Sequence, residues 1–204
     1  GVDLTQCVAL PAIPTGTALI AVAPSGENQI VVAPGANRHL APDDIDTPGT
    51  DAVICQLEVP VDTVAKAAAE FPGFLAVNLA PAARIDVSVL QRADLVIVNE
   101  TESAWYGDTL QACNGMVATT RGAGMATLEQ DGQIIAEANP PVVEAIDATG
   151  AGDTFTAALT VALVEGHSPQ DALEFACAAG AAATTRMGAQ PSLPMREEVT
   201  PNGQ

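Results

Sequence analysis

The chain has 204 residues, 48% of them hydrophobic, with 25 acidic against seven basic side chains and a formal net charge of −18. Apolar content at that level excludes disorder for the body of the chain, and no apolar run reaches the roughly 18 residues that a bilayer span requires. Such acidity disfavours nucleic acid and anionic membranes, whose recognition depends on clustered Lys and Arg, so neither is expected as a partner.

The pattern of apolar residues alternates along the chain. Residues 17–23 and 29–33 read as two short strands around the turn 24–28. Apolar runs at 52–55, 74–78, 94–98 and 115–119 read as buried strands, with helical patterns at 61–71, 86–92 and 100–106 between them. Strand and helix in alternation predict a mostly parallel sheet covered by helices on both faces. A hairpin of 124–129 and 133–137 turns at Asp131-Gly132, and Pro141 to Ile146 reads as a further strand-like run. Helices are predicted from near Gly152 to 165 and over 169–186. The expectation is one α/β domain with a small β appendage. The cysteines, Cys7, Cys55, Cys113 and Cys177, are too widely spaced for a zinc site or a disulfide scaffold, which fits the cytoplasm.

The densest chemistry lies at 146–156. Apolar residues lead through Asp147-Ala148-Thr149-Gly150-Ala151-Gly152 to Asp153 at a helix start. Glycines there let backbone N–H groups converge on one point, and the helix N-terminus adds partial positive charge, which together make an anion cradle. Asp153 could accept a proton from a hydroxyl that attacks a phosphoryl group held in the cradle. It could equally be a first-turn capping acid, and spacing alone favours that second reading.

The full string Asp147-Ala148-Thr149-Gly150-Ala151-Gly152-Asp153-Thr154-Phe155 resembles the C-terminal motif of the ribokinase-like sugar kinases, the PfkB carbohydrate kinase family. Further matches follow in the family's order. Pro14-Thr15-Gly16-Thr17-Ala18, Ser25-Gly26-Glu27-Asn28 and Pro34-Gly35-Ala36-Asn37 are similar to its lid strands, and Gln56-Leu57-Glu58 to its substrate-contacting segment. Asn78-Leu79-Ala80-Pro81-Ala82 is similar to an Asn-Pro-Ala-Pro-Ala stretch, Asn99-Glu100-Thr101-Glu102 to the Asn-x-x-Glu motif, and Thr185 to Ser192 to the C-terminal segment.

The resemblance implies a three-layer α/β sandwich with a mostly parallel sheet and part of a small β lid at about 15–35, the whole of 1–204 being one kinase domain. It implies an ATP-dependent kinase that phosphorylates the terminal hydroxyl of a pentose, D-ribose foremost. Asp153 becomes the general base, and Gly150, Ala151 and Gly152 the anion hole. Glu58 becomes a sugar contact, otherwise an exposed strand-end acid. Asn99 and Glu102 would hold magnesium through water, or else simply begin a helix. Asp147, Thr149, Ala183, Arg186, Gly188 and Ser192 would surround a potassium ion, largely with carbonyl oxygens, although Arg186 also suits a plain helix C-terminus. The nucleotide would contact Asn99, Thr119, Thr120, Arg121, Gly122, Ala123, Gly124, Gly152 and Cys177, and the lid strands would join two copies into a homodimer.

Three features depart from the family pattern. Arg121 stands where Gly is usual, and could either clash with a nucleotide or reach a phosphate. Cys177 stands where His or Asn is common near the adenine, and it forfeits that hydrogen bond. No counterpart of the first strand with its substrate-binding Asp, or of the Gly-Gly-Lys-Gly-Ala-Asn-like sugar loop, is found, so a fragment of a longer kinase is expected. The alternatives to a ribose kinase are a kinase for another sugar or a nucleoside, or a truncated, non-catalytic binding module.

Overall fold

A computed structural model describes residues 2–22, 28–47 and 49–199. Two antiparallel strands, β1 (Thr17–Val22) and β2 (Asn28–Ala33), form a separate small sheet in which Thr17 pairs with Ala33 and Val22 with Asn28. The expected turn falls, apart from Asn28, outside the described residues, as does Ala23 at the end of the first expected strand.

The main sheet has six strands in sequence order: β3 (Ala52–Cys55), β4 (Phe74–Asn78), β5 (Leu95–Asn99), β6 (Met116–Arg121), β7 (Gly124–Gln130) and β8 (Gln133–Ala138). The first four are mutually parallel, and β7 and β8 add an antiparallel hairpin at one edge. Helices α1 (Val61–Glu70), α2 (Val87–Arg92) and α3 (Glu100–Tyr106) connect the parallel strands, as such connections require, and α4 (Ala151–Val164) and α5 (Pro169–Ala183) follow the hairpin.

Strand alternation explains the two cores. Leu75, Val77, Val96 and Val98 face one way and pack with Val64 and Ala68 of α1 and Val89 and Leu90 of α2. Ala76, Leu95 and Ile97 face the other way and pack with Phe155 and Leu159 of α4 and Leu173 and Ala176 of α5. The result is a three-layer α/β sandwich. Small side chains let α4 and α5 lie close on the sheet, since α5 buries eight residues and six of them are Ala.

Two expectations need correction. Residues 141–146 form no strand: Val142 to Ile146 are exposed, and Ile146 and Asp147 donate instead to the Thr184 carbonyl at 2.7 and 3.1 Å. Pro140 and Pro141 lack amide donors, so extended pairing beyond β8 is stopped there. Helix α5 ends at Ala183 rather than 186, because the Thr184 and Thr185 hydroxyls bond back to the Ala181 and Ala182 carbonyls. Elsewhere boundaries move by one or two residues.

Candidate active site

Parallel register places the strand ends together. Asn78 pairs with Ile97, and Asn99 with Thr120, so the carboxyl ends of β4, β5 and β6 lie along one rim of the sheet. Open α/β sheets bind ligands at that rim. The Asn78 side-chain amide donates to the Thr156 hydroxyl at 3.2 Å, which brings the start of α4 to the same rim.

The N-terminus of α4 is built by Gly150, whose φ of +82° is the left-handed conformation that favours glycine. Gly150 carries no capping side chain. Its carbonyl accepts from the Thr154 amide at 2.9 Å and the Thr154 hydroxyl at 2.8 Å. The Ala151 amide donates to the Ala148 carbonyl at 3.2 Å, whereas the Gly152 and Asp153 amides have no protein acceptor among the described residues. Of the three residues expected as an anion hole, Gly150 and Gly152 therefore offer amides without a protein acceptor among the described residues, Ala151 does not, and the Asp153 amide adds one that sequence reasoning missed. The Asp153 side chain is exposed on this first turn, and no Cβ or other group crowds Gly152.

Asp147 ties the loop before α4 to the loop after α5. Its carboxylate accepts from the Thr149 hydroxyl at 2.6 Å, the Thr149 amide at 2.9 Å and the Gly188 amide at 2.8 Å. These bonds, with the Thr149 hydroxyl foremost, hold its carboxyl below the usual aspartate range. Ala183 is buried at the end of α5, and Ser192 is buried with its hydroxyl donating to the Ala189 carbonyl at 2.8 Å. Of the residues expected around a monovalent cation, Asp147, Thr149 and Gly188 are thus in contact, while Ala183 ends α5 and Ser192 lies further along the loop after it. Arg186 differs in one respect: its guanidinium is paired with Glu198 at 3.0 Å.

Asn99 and Glu102 form a reciprocal cap on α3. The Asn99 amide donates to Glu102 Oε2 at 2.8 Å, and the Glu102 amide to Asn99 Oδ1 at 2.9 Å. Burial raises the Glu102 carboxyl, against the pull of the Asn99 amide. Among the described residues Glu102 Oε1 has no hydrogen-bond partner, so it could accept from one water of a magnesium ion. Among the described residues no cluster of three or more His, Cys, Asp or Glu could cage a metal, and magnesium bound through water and phosphates needs none.

Thr119 is buried, and Thr120 donates weakly to the Val98 carbonyl at 3.5 Å. Arg121 lies beside the β6–β7 turn, where Gly122 has a φ of +56° and Ala123 and Gly124 are exposed. The Arg121 guanidinium donates across its own hairpin to the Met125 carbonyl at 2.9 Å, so the side chain that replaces a glycine is occupied in bracing the turn. Cys177 is buried on α5, its thiol 3.8 Å from the Ala138 carbonyl and pushed up to about 11 by desolvation. It packs in the core between α5 and the hairpin.

Glu58 is exposed just beyond β3, and its amide bonds to the Gln56 side chain. It lines a cleft of about 500 Å³ between the small sheet and the start of α1, together with Thr17, Asn37, Arg38, Leu57 and Pro81. Arg38 was missed in the sequence because nothing in its neighbourhood marks a ligand contact. Four of the seven basic residues are committed to carboxylates: Lys66 to Asp43 and Glu70, Arg92 to Asp94, Arg186 to Glu198 and Arg196 to Glu165. Attraction for an anion is then left to the α4 amides and helix end and to the remaining arginines, of which Arg38 lines the cleft.

A mostly parallel α/β sandwich with acceptor-free amides and an exposed aspartate at one helix start can hold a phosphate group. Residues 1–196 match the family model of the pfkB family carbohydrate kinases. The chain is 34% identical over 220 residues to ribokinase of Haemophilus influenzae, covering 97% of this chain and 72% of that one. The ribokinase of Thermotoga maritima superposes with a TM-score of 0.82 at 34% identity, over 92% of this chain and 69% of that one. Arabidopsis thaliana ribokinase, solved with ribose and ATP, gives 0.79 at 28% identity over 92% and 69%. Against the full Arabidopsis sequence the chain spans 59% of its length. The chain belongs to the pfkB family and has the ribokinase-like fold of the ATP-dependent carbohydrate kinases.

Proposed function

We propose that the chain is a kinase domain, spanning 1–204, that transfers the γ-phosphoryl group of ATP to the terminal hydroxyl of a pentose, D-ribose foremost. The observation that carries this reading is the start of α4: an exposed Asp153 beside the free amides of Gly152 and Asp153, at the carboxyl rim of the sheet. In the reaction the sugar oxygen forms a bond to phosphorus while the bond to the ADP oxygen breaks. Asp153 takes the hydroxyl proton, and the amides at the start of α4, those of Gly150, Gly152 and Asp153 with Ala151 exchanging its Ala148 partner, would orient and stabilise charge on the phosphoryl oxygens. Glu58 would hold a sugar hydroxyl in the cleft.

The nucleotide would lie along Asn99, Thr119 to Gly124 and Cys177. Glu102, with Asn99, would hold water on magnesium, which when bound neutralises phosphate charge. Asp147, Thr149, Ala183, Gly188, Ser192 and the main-chain carbonyl of Arg186, whose guanidinium is paired with Glu198, would hold potassium, which would add positive charge beside the amides. The exposed Leu19 and Val31 on the small sheet support a homodimer formed through it, and the cytoplasm is the natural compartment for such a kinase.

Phosphorus NMR of the chain incubated with ATP, magnesium, potassium and single sugars tests this reading. D-ribose should give ADP and a phosphomonoester signal, more slowly matched by other pentoses. ATP left intact with every sugar and nucleoside offered would contradict it.

A further inference from the structure

Gly150 turns with positive φ to open α4, and a Cβ added there would meet the Cα and Cβ of Ala189 at 3.3 Å. The start of the amide site therefore rests on the segment that follows α5. That segment is also held from the other side, by the Gly188 amide on Asp147 at 2.8 Å. Between them, Gly188 and Ala189 touch both the loop before α4 and its first residue.

The segment has a closed set of fastenings of its own. Glu198 accepts from Arg186 at 3.0 Å with one oxygen and from the Met195 amide at 2.7 Å with the other, so the two ends of 186–198 are drawn together. Arg196 then pins the segment to the far end of α4, with the two terminal guanidinium nitrogens, Nη1 and Nη2, donating to the Glu165 carboxylate at 2.7 and 2.6 Å. The same guanidinium lies 5.6 Å from the centre of the Phe175 ring, and Val199 is buried against Ala178 and Ala179 of α5. One end of α4 thus opens on Ala189, and its other end anchors the strap that carries Ala189.

We infer that residues 184–199 act as a strap that fixes the amide site at the start of α4, with Arg186, Glu198, Arg196 and Glu165 as positioning residues. The inference rests on the kinase reading above. None of the four side chains needs to touch substrate. Their pairs are exposed, and exposed pairs add little to global stability, so their loss leaves the fold in place while freeing the strap. A displacement of about 1 Å at a transferring group suffices to slow chemistry up to a hundredfold.

The test uses the full chain with Glu198→Gln, Arg196→Lys and the charge-swapped pair Arg186→Glu/Glu198→Arg. Hydrogen exchange is read on peptides covering 186–192, and kcat and sugar KM are read at saturating ATP. For Glu198→Gln, exchange over 186–192 should quicken while β4 and β5 keep their protection, and kcat should fall about tenfold at unchanged sugar KM. Arg196→Lys should show a smaller change in the same direction, since one bond of the fork survives. The swapped pair should recover part of the lost kcat. Unchanged exchange and unchanged kcat in Glu198→Gln, with an active parent, overturn the strap and leave the kinase reading standing. A parent chain without turnover overturns both.

Discussion

Asp147 concentrates three hydrogen bonds on one carboxylate, two on one oxygen and one on the other, and protonation of either oxygen weakens the set. Its carboxyl is held low by the Thr149 hydroxyl, then the Gly188 and Thr149 amides. The tie it makes is therefore fully present above the ordinary aspartate value of 3.8, and is lost only as pH falls through the lowered value. The Gly188 amide resonance should shift with a midpoint below 3.8, and Asp147→Asn should abolish that shift. A midpoint above the ordinary value would show that the bonds are not made in solution. At this scale the sequence marked the position of Asp153 at a glycine-rich helix start. Its role as base, and the role of Asp147, came only with the family resemblance, since spacing alone suits a capping acid. The sequence was not legible for Arg121 and Cys177. Their side chains settle on the Met125 and Ala138 carbonyls, partners that the local sequence does not announce.

The cap on α3 separates structure from chemistry within one element. Glu102→Gln keeps an acceptor for the Asn99 amide and removes a charge that burial disfavours. Because the Glu102 carboxyl is raised, its contribution to stability is full when protonated and declines as pH rises through the raised value. The Gln variant should accordingly equal or exceed the parent in Tm at neutral pH, yet lose activity at limiting magnesium. Glu102→Ala should cost about 1 kcal/mol by leaving the Asn99 amide unpaired. Thermal unfolding and a magnesium titration of both variants check this, and full activity in Glu102→Gln would leave Glu102 with capping alone.

Elements buried against the cores were readable from their apolar runs and helical periods. Strands β4 and β5 alternate between two cores, and α3 announces itself by Asn99 and Glu102. The run 141–146 misled because its apolar residues carry the strand pattern while Pro140 and Pro141 deny it ladder donors and no neighbouring strand pairs with it. The end of α5 was blurred for a related reason: Thr184 and Thr185 can prolong a helix or stop it, and their hydroxyls bond back to the last turn.

The molecule as a whole combines a charge of −18 with apolar surface on its β elements. Leu19 and Val31 are 69% and 67% exposed on the small sheet, and Ile54 is exposed on β3, an edge strand of the main sheet. Edge strands carry unpaired backbone groups that recruit other chains. Charge repulsion opposes that association at low salt and is screened over about 10 Å at 0.1 M. Sedimentation across a salt series should show association rising with ionic strength, and Leu19→Glu should reduce it. A monomer at every salt concentration would show that neither surface associates.

The central claim is that α4 begins a phosphoryl-transfer site in which Asp153 is the base. The most direct measurement is kcat for ATP-dependent pentose phosphorylation in the parent and in Asp153→Asn, with ATP affinity of both measured by calorimetry. The amide keeps the shape of the side chain and cannot take the hydroxyl proton, so kcat should fall by at least the 10²–10⁴-fold, roughly, that general-base catalysis supplies, with ATP affinity nearly unchanged. An Asp153→Asn chain that turns over at the parent rate would contradict the account.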